Sequence, residues 1–244
     1  MEIINDLLAY DGLKIIQRPD MFNFSLDSLL LGYFSEVNYK TEKIMDLCTG
    51  NAPVAMYLTL RTEAEIHAVE IQDDVHDLAR KSLELNGLDE RINLHHRNLK
   101  DIHKEVGVNS FDLVTCNPPF FKLRETSNLN KTDYKTLARH EVSATLEDIV
   151  IESKRLLKNK GYLSMVHRPE RLSEIMRVLE DHNLTPKTIR FIHPKEGTNA
   201  NSVIIHAQKD ANPGLKVLEP IIVHYGSEYS KIVKEVFHYK KNMI

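Results

Sequence analysis

Short apolar runs alternate with amphipathic segments from residue 43 onward, and this alternation constrains the fold more than any other feature. Five of the runs predict strands, at 43–47, 65–70, 91–95, 111–116 and 162–167. Helices are predicted at 52–61, 74–86, from Thr145 onward and at 170–181. Two further strands, near 188–193 and 203–208, predict a terminal antiparallel hairpin. This order favours an α/β fold, with a mostly parallel seven-stranded sheet and helices on both faces.

Local signals refine two of these boundaries. Thr145 and Asp148 form the pattern of a capping box, so a helix should begin there. We expect that helix to carry Ile149 and Leu157 on its apolar face. Lys160 and Gly161 then predict the turn that leads into the fifth strand.

The composition is that of a globular protein with a full core. Of its 244 residues, 42% are apolar, and the formal charge is −3. The chain as a whole therefore has no basic surface of the kind that binds nucleic acid, and any such contact must use a local patch. Cys48 and Cys116 are too few for a disulfide framework, and we expect both to be buried thiols. No signal peptide or membrane segment is recognisable, which predicts a cytoplasmic protein.

The turn after the first strand, Asp46-Leu-Cys-Thr-Gly-Asn-Ala-Pro53, has the layout of a nucleotide-binding loop. It lacks the glycines that let a backbone approach a pyrophosphate, because only Gly50 is present. Glu70 ends the second strand twenty residues later, where an acid can bind both hydroxyls of a ribose. Each feature also occurs for structural reasons alone. Together they favour an adenosine ligand without a pyrophosphate over NAD.

Asn117-Pro-Pro-Phe120 stops the fourth strand abruptly. Two adjacent prolines cannot continue a central strand, because each lacks an N–H and has a fixed φ. The stretch could be only a turn, with Phe120 in the core. Alternatively it is a functional loop, in which Asn117 and the Pro118 carbonyl present hydrogen-bond acceptors.

Three of these segments together resemble the class I S-adenosylmethionine-dependent methyltransferases, namely Asp46-Leu-Cys-Thr-Gly-Asn51, Glu70-Ile-Gln72 and Asn117-Pro-Pro-Phe120. The Asn-Pro-Pro-Phe form belongs to enzymes that methylate an amino group conjugated with a ring or a carbonyl. Segments 22–31 and 135–141 are similar to the bacterial tRNA adenine-N6 methyltransferase family, which modifies the adenine beside the anticodon of a valine tRNA. The resemblance implies a Rossmann-like fold, S-adenosylmethionine as cofactor, tRNA as substrate, and a monomer.

In this interpretation residues 1–244 form a single methyltransferase domain. Residues 43–210 would be its catalytic core. Residues 1–42 would be an N-terminal extension over the active site, and residues 211–244 a C-terminal extension. The tail contains one more apolar run, at 220–224.

The resemblance also implies which residues bind the cofactor. They are Asp46, Cys48, Gly50, Glu70, Ile71, Asn98, Leu99 and Asn117. Related enzymes often have an acid where this chain has Asn98, and Asp101 is the competing residue. The first loop has Ala52 where related loops have more glycine, and a methyl group there could narrow the approach of the cofactor.

The implied catalytic residues are Asn117, Pro118 and Phe120. The exocyclic amine of adenine is a poor nucleophile, because its lone pair is delocalised into the ring. The Asn117 side-chain oxygen and the Pro118 carbonyl would accept its two hydrogens and direct the lone pair towards the sulfonium methyl group. Phe120 would stack on the base, a contact worth about 1–3 kcal/mol. This scheme needs no general base and no metal ion.

Residues 121–140 carry five basic and two acidic side chains. We predict a mobile lid that contacts RNA phosphate, with a solvated connection as the alternative. The implied substrate contacts are Ser25, Asp27, Phe120, Lys122, Arg124, Arg139 and His140. Ser25 and Asp27 could equally cap the helix that follows them. Lys195 is a further candidate phosphate contact.

Three other functions stay open at this point. Enzymes that methylate a glutamine in a protein release factor use a similar motif, usually with Tyr in place of Phe120. Methylation of guanine N2 in ribosomal RNA uses a related motif. A degenerate fold that binds RNA or protein without catalysis is the third, if Cys48 and Ala52 block the cofactor. A metal site at His95, His96 and His103 is not expected, because His95 and His96 are adjacent strand residues and would point to opposite faces.

Overall fold

The computed structural model describes residues 1–8, 12–21, 24–118 and 144–239. Near the N-terminus, β1 (Ile3–Asp6) and β2 (Lys14–Gln17) form an antiparallel hairpin. The described strands of the central sheet are β3 (Lys43–Leu47), β4 (Glu65–Glu70), β5 (Ile92–His96), β6 (Phe111–Cys116), β7 (Leu157–His167), β8 (Leu184–Lys195), β9 (Ser202–Lys209), β10 (Lys216–Val217), β11 (Ile221–Tyr225) and β12 (Glu228–Tyr229). Their order is β12-β11-β8-β9-β7-β6-β3-β4-β5, with β10 beside β8.

One half of this sheet is parallel. β3 pairs in parallel with β4 on one side and β6 on the other, and β5 and β7 continue the parallel pairing outward. β9 then runs antiparallel between β7 and β8. The predicted parallel sheet with an antiparallel hairpin is therefore confirmed. Since parallel strands end at one edge, the loops after β3, β4, β5 and β6 meet there.

The sheet has more strands than the seven predicted. β11 comes from the tail run at 220–224 and pairs in parallel with β8, with Ile221 opposite Ile192. β10 and β12 add short pairings beside β8 and β11. The tail run becomes a strand because Ile221 and Val223 are buried against the core. That burial is a long-range contact, which a five-residue run does not reveal by itself.

Helices cover both faces of the sheet. Those in the described residues are α1 (Leu26–Phe34), α2 (Pro53–Leu58), α3 (Asp73–Leu85), α4 (His103–Val106), α5 (Leu146–Leu156), α6 (Leu172–Asp181) and α7 (Lys231–Phe237). Successive β3 residues point to opposite faces, so Ile44 belongs to one apolar cluster and Met45 to the other. Across the described ranges, none of these helices is long and apolar enough to span a membrane.

Local signals predicted some boundaries correctly and others not. The capping box is confirmed, because Thr145 Oγ1 accepts a hydrogen bond from the Asp148 N–H at 3.1 Å and the Asp148 carboxylate accepts one from the Thr145 N–H at 2.8 Å. Leu157, however, does not continue α5 and instead begins β7. Lys160 lies inside β7 with φ of +64°, where the register with β6 shifts, so the predicted turn at Lys160-Gly161 is a bulge. α2 also ends at Leu58 rather than at the predicted residue 61.

The N-terminal hairpin is bonded to the central domain. The Ile16 N–H donates to Ser82 Oγ of α3 at 3.0 Å. The Asn86 side chain donates to the Lys14 carbonyl at 2.7 Å and accepts from the Lys14 N–H at 2.8 Å. Asn51 Nδ2 donates to the Ile16 carbonyl at 3.1 Å. These bonds hold β2 against α3 and against the loop that follows β3.

Candidate active site

A cavity of about 750 Å³ lies at the edge where the parallel strands end. On one side it is lined by the loops after β3, β4 and β5, which we call the strand-loop side. Towards β7 it is lined by Ser28 of α1, by Asn117 and Pro118, by the first turn of α5 and by α6, which we call the helix side. The volume is within the range of about 300–1,000 Å³ that is usual for small-molecule sites.

The loop after β3 has three residues with left-handed backbone. Cys48, Gly50 and Ala52 have φ of +55°, +60° and +68°. A Cβ at Gly50 would meet no atom within 4 Å, so its backbone faces open space in the cavity. Ala52 is fully buried in the apolar core and does not line the cavity. Its methyl group therefore does not narrow the space in front of the loop.

The two cysteines lie beside each other at the ends of neighbouring strands. Cys116 is buried, as predicted, and burial raises the pKa of its thiol. Cys48 is only half-buried and lines the cavity, so the prediction of a buried thiol is wrong there. The reason is its place in the chain, since Cys48 follows the last residue of β3 and belongs to the loop.

Asp46 and Glu70 are buried carboxylates of the strand-loop side. Asp46 accepts hydrogen bonds from Thr49 Oγ1 at 2.5 Å and Thr115 Oγ1 at 2.6 Å, and burial raises its pKa to about 6. The two bonds fix its carboxylate between β6 and the loop that follows β3. Asp46 therefore holds the loop in place and also lines the cavity.

The Glu70 carboxylate accepts hydrogen bonds from backbone N–H groups of two loops. Its Oε2 accepts from the Gly50 N–H at 3.0 Å. Its Oε1 accepts from the Ile71 and Gln72 N–H groups, both at 2.9 Å. A carboxylate has about four acceptor sites, so Oε2 retains capacity for one more donor. The predicted spacing of Gly50 and Glu70 thus brings them into direct contact.

The loop after β5 brings Asn98 and Leu99 to the cavity but not Asp101. Asn98 Oδ1 accepts from the Lys100 N–H at 2.9 Å, which shapes this turn. Asp101 is exposed and forms an ion pair of 3.0 Å with Lys104. Of the two candidates at this strand end, Asn98 is the one that lines the site.

Asn117 and Pro118 line the cavity where β6 ends. Asn117 Nδ2 donates to Ser28 Oγ at 2.9 Å, so in this arrangement the side-chain oxygen is the end left for another partner. The predicted contacts Phe120, Lys122, Arg124, Arg139 and His140, like the predicted lid, lie outside the described residues.

The predicted contacts Ser25 and Asp27 do not line the cavity, although Ser28 does. Asp27 Oδ2 accepts from Ser202 Oγ at 3.1 Å, and burial raises the pKa of this carboxylate. Ser25 stands at the N-terminus of α1 and makes no side-chain capping bond there. Ser28 was missed by the sequence analysis, although a serine inside the apolar run 26–31 is a polar residue that needs a partner.

The wall formed by the end of β7 and α6 was also missed. His167 lines the cavity and is 2% exposed, and its Nδ1 accepts from the Arg168 N–H at 2.7 Å. Burial lowers the pKa of His167 to about 4, so the ring is neutral at pH 7. Arg177 also lines the cavity and is exposed. No local motif marks these residues, because His167 comes to the site at the end of β7 and Arg177 through the packing of α6.

Two histidines considered as metal ligands have other partners. His95 Nδ1 is 2.9 Å from Glu105, and His96 stacks on His76 with ring centres 4.5 Å apart. Within the part of the chain that the structure describes, no three His, Cys, Asp or Glu side chains come together as a possible metal site.

Comparison with known proteins identifies the family of this fold. The model of the methyltransferase small domain family matches residues 14–191. Two proteins named "tRNA1(Val) (adenine(37)-N6)-methyltransferase" are similar over nearly their full length. The protein from Flavobacterium psychrophilum is 23% identical over 93% of this chain and 97% of its own length. The protein from Flavobacterium johnsoniae is 26% identical over 95% of this chain and 99% of its own length.

Solved structures share the fold at low sequence identity. A structure described as a "predicted O-methyltransferase" from Agrobacterium tumefaciens has a TM-score of 0.70, with 22% identity over 86% of this chain and 95% of that one. A geranyl diphosphate C-methyltransferase from Streptomyces coelicolor, solved with S-adenosyl-L-homocysteine, has a TM-score of 0.55, with 13% identity over 75% and 76% of the two chains. The fold is therefore that of the class I methyltransferases, and the chain belongs to the methyltransferase small domain family.

Proposed function

We propose that this protein transfers a methyl group from S-adenosylmethionine to the exocyclic N6 amine of an adenine in tRNA, the adenine beside the anticodon. The observation that carries the proposal is the Asn117-Pro118 loop, which ends β6 inside a cavity bordered by the Gly50 and Glu70 loops. The relatives that cover nearly the whole chain, named for adenine-N6 methylation of a tRNA, support the choice of substrate.

The strand-loop side fits the adenosine part of S-adenosylmethionine. Open space lies in front of Gly50, where a larger residue would intrude. Glu70 is buried beside that space and retains acceptor capacity for a ribose hydroxyl. Ile71, which is 40% exposed, and Leu99 offer apolar surface to an adenine ring. The bound cofactor supplies an electrophilic methyl group on a sulfonium centre.

Asn117 and Pro118 would hold the acceptor amine. The Asn117 side-chain oxygen accepts one amine hydrogen and the Pro118 carbonyl accepts the other, which turns the nitrogen lone pair towards the methyl donor. The proline rings fix the backbone, so the carbonyl needs no reorganisation. Orientation of this kind can supply about 7–11 kcal/mol of a reaction barrier in well-aligned cases.

The helix side is the place where we expect the RNA to lie. Arg177 lines the cavity and makes no hydrogen bond or ion pair with any residue that the structure describes. Arg18 and Arg97, in contrast, are paired with Asp20 and Glu105. A cation without an acidic partner can bind a phosphate without first breaking an ion pair. The basic segment 121–140 remains a proposed lid over this side.

We extend the proposal to the protein as a whole. Residues 1–244 would act as one methyltransferase domain, with a catalytic core at 43–210. Residues 1–42 would extend over the site, and residues 211–244 would follow the core. The protein would work as a monomer in the cytoplasm, where its tRNA substrate is found.

The decisive experiment is methyl transfer to total tRNA from a strain that lacks this gene, followed by mass spectrometry of the nucleosides. We expect new N6-methyladenosine that depends on S-adenosylmethionine. Binding of the cofactor without any N6-methyladenosine would refute the substrate, and N2-methylguanosine instead would assign the enzyme to guanine.

A further inference from the structure

We propose that Ser28 is a positioning residue that orients the Asn117 side chain so that its oxygen faces the acceptor amine. This inference rests on the proposed function of the Asn117-Pro118 loop. It adds a residue from the N-terminal helix to the reaction, 89 residues away from the loop in sequence.

The chemical need arises from the two unlike ends of an amide. The side-chain oxygen of Asn117 can accept a hydrogen from an amine, whereas its NH2 group can only donate. The terminal torsion of asparagine is broad and roughly two-fold, so an unsupported side chain samples both ends. An enzyme that uses the oxygen must therefore hold the nitrogen elsewhere.

Ser28 has the geometry to hold that nitrogen. Its Oγ accepts from Asn117 Nδ2 at 2.9 Å, a normal hydrogen-bond distance. Ser28 is 2% exposed, so water does not readily replace it as a partner. Both residues line the cavity, and the bond therefore acts at the site itself.

Ser28 itself is firmly placed. Its N–H donates to the Ser25 carbonyl at 3.0 Å in the first turn of α1. The next residues, Leu29, Leu30 and Leu31, are at most 1% exposed and anchor the helix in the core. Asp27 accepts from Ser202 Oγ at 3.1 Å, which fixes the same turn to the start of β9. A rigid support of this kind can transmit orientation to Asn117.

The test removes the Ser28 hydroxyl, by Ser28→Ala, in two backgrounds: the natural enzyme with Asn117 and the Asn117→Asp variant. A carboxylate presents an oxygen whichever way it turns, so Asp at this position needs no orientation. We expect Ser28→Ala to lower kcat on tRNA about tenfold with Asn117. In the Asn117→Asp background, Ser28→Ala should lower kcat by a further factor of only about two or less. An equal loss in both backgrounds would overturn the proposal.

A conservative variant and a matched control separate orientation from packing. Ser28→Thr keeps the hydroxyl and should retain most of the kcat, and a loss as large as that of Ser28→Ala would argue against a role for the hydrogen bond. Ser35→Ala removes another buried hydroxyl at the end of α1, which donates to the Leu31 carbonyl at 2.7 Å and does not line the cavity. It should lower the melting temperature without changing kcat.

A readout without turnover completes the test. In ¹⁵N-labelled protein the side-chain NH2 protons of Asn117 should exchange with water faster in Ser28→Ala than in wild type. Unchanged exchange would overturn the proposal even if activity fell. Wild-type formation of N6-methyladenosine reports on the proposed function separately, because Ser28 is judged only by the ratio of variants and by this exchange.

Discussion

The two sides of the cavity are built in different ways. On the strand-loop side, Glu70 binds the backbone of its own loop at Ile71 and Gln72 and that of the preceding loop at Gly50. On the helix side, the bond between Ser28 and Asn117 joins residues 89 positions apart, and the same turn of α1 is fixed to β9 by a bond across 175 positions. The first side is thus organised by neighbouring loops of one sheet, and the second by elements from the whole chain. We expect variants on the first side to change cofactor affinity, and variants on the second to change turnover or RNA affinity.

The largest expected effect is that of Asn117→Ala. The variant should lower kcat on tRNA by about a thousandfold or more, because the amine loses an acceptor and its orientation. Affinity for S-adenosylmethionine, measured by calorimetry, should stay within about twofold of wild type, because Asn117 is held by Ser28 rather than by the cofactor loops. A collapse of cofactor affinity would show that the two sides are not separable.

The next effect is that of Glu70→Gln on the cofactor. The amide keeps the size of the side chain but places an NH2 group against backbone donors and removes the charge. Dissociation constants for S-adenosylmethionine should rise about 10- to 100-fold, the range for a lost hydrogen bond to a charged group. The exposed variant Glu84→Gln, which loses only an ion pair to Arg80, should change nothing. An unchanged affinity in Glu70→Gln would remove Glu70 from the binding site.

A smaller effect is expected for Arg177→Gln on the helix side. The KM for tRNA should rise about three- to tenfold. The plot of log affinity against log salt concentration should become less steep, by about the amount that one phosphate contact contributes. Arg80→Gln, on the exposed face of α3 and paired with Asp77 and Glu84, is the matched control. If the salt dependence of Arg177→Gln equals that of wild type, the RNA does not contact this residue.

The smallest effect is expected for Ala52→Gly. Glycine removes the steric cost of the left-handed backbone at this position, but the change also loses a buried methyl group. These two contributions to the free energy of unfolding are each about 1 kcal/mol and have opposite signs. The melting temperature and the cofactor affinity should therefore both stay close to wild type. A severalfold gain in affinity would mean that the Ala52 methyl group does hinder the cofactor.

The same contrast explains what the sequence could predict. The strand-loop side could be predicted because Gly50 and Glu70 lie at or just after the ends of two neighbouring strands, and the structure brings the two residues into direct contact. The parallel strands of the sheet could also be predicted from the sequence, because an apolar run marks each of them. Thr145 and Asp148 predicted a helix start correctly because a capping box is a local bond.

The remaining parts depend on contacts between distant segments. Ser28 looked like part of an apolar helix, and only the docking of α1 brings it to Asn117. His167 reaches the cavity at the end of β7, and Arg177 reaches it because α6 packs beside α5; no spacing in the sequence encodes either placement. β11 joins the sheet through β8, whose paired residues lie 29 positions earlier in the chain (Ile221 opposite Ile192), so its run was predicted only as an isolated apolar segment of the tail.

The bond between Asp27 and Ser202 has a consequence for the order in which the site is made. During synthesis the chain emerges from its N-terminus, so the residues of the strand-loop side from Asp46 to Leu99 are all made before Ser202. Asp27 must wait for its partner until the ribosome has added Ser202. A nascent chain can therefore shape the strand-loop side well before it can complete the support of Asn117, the residue that we propose to hold the amine.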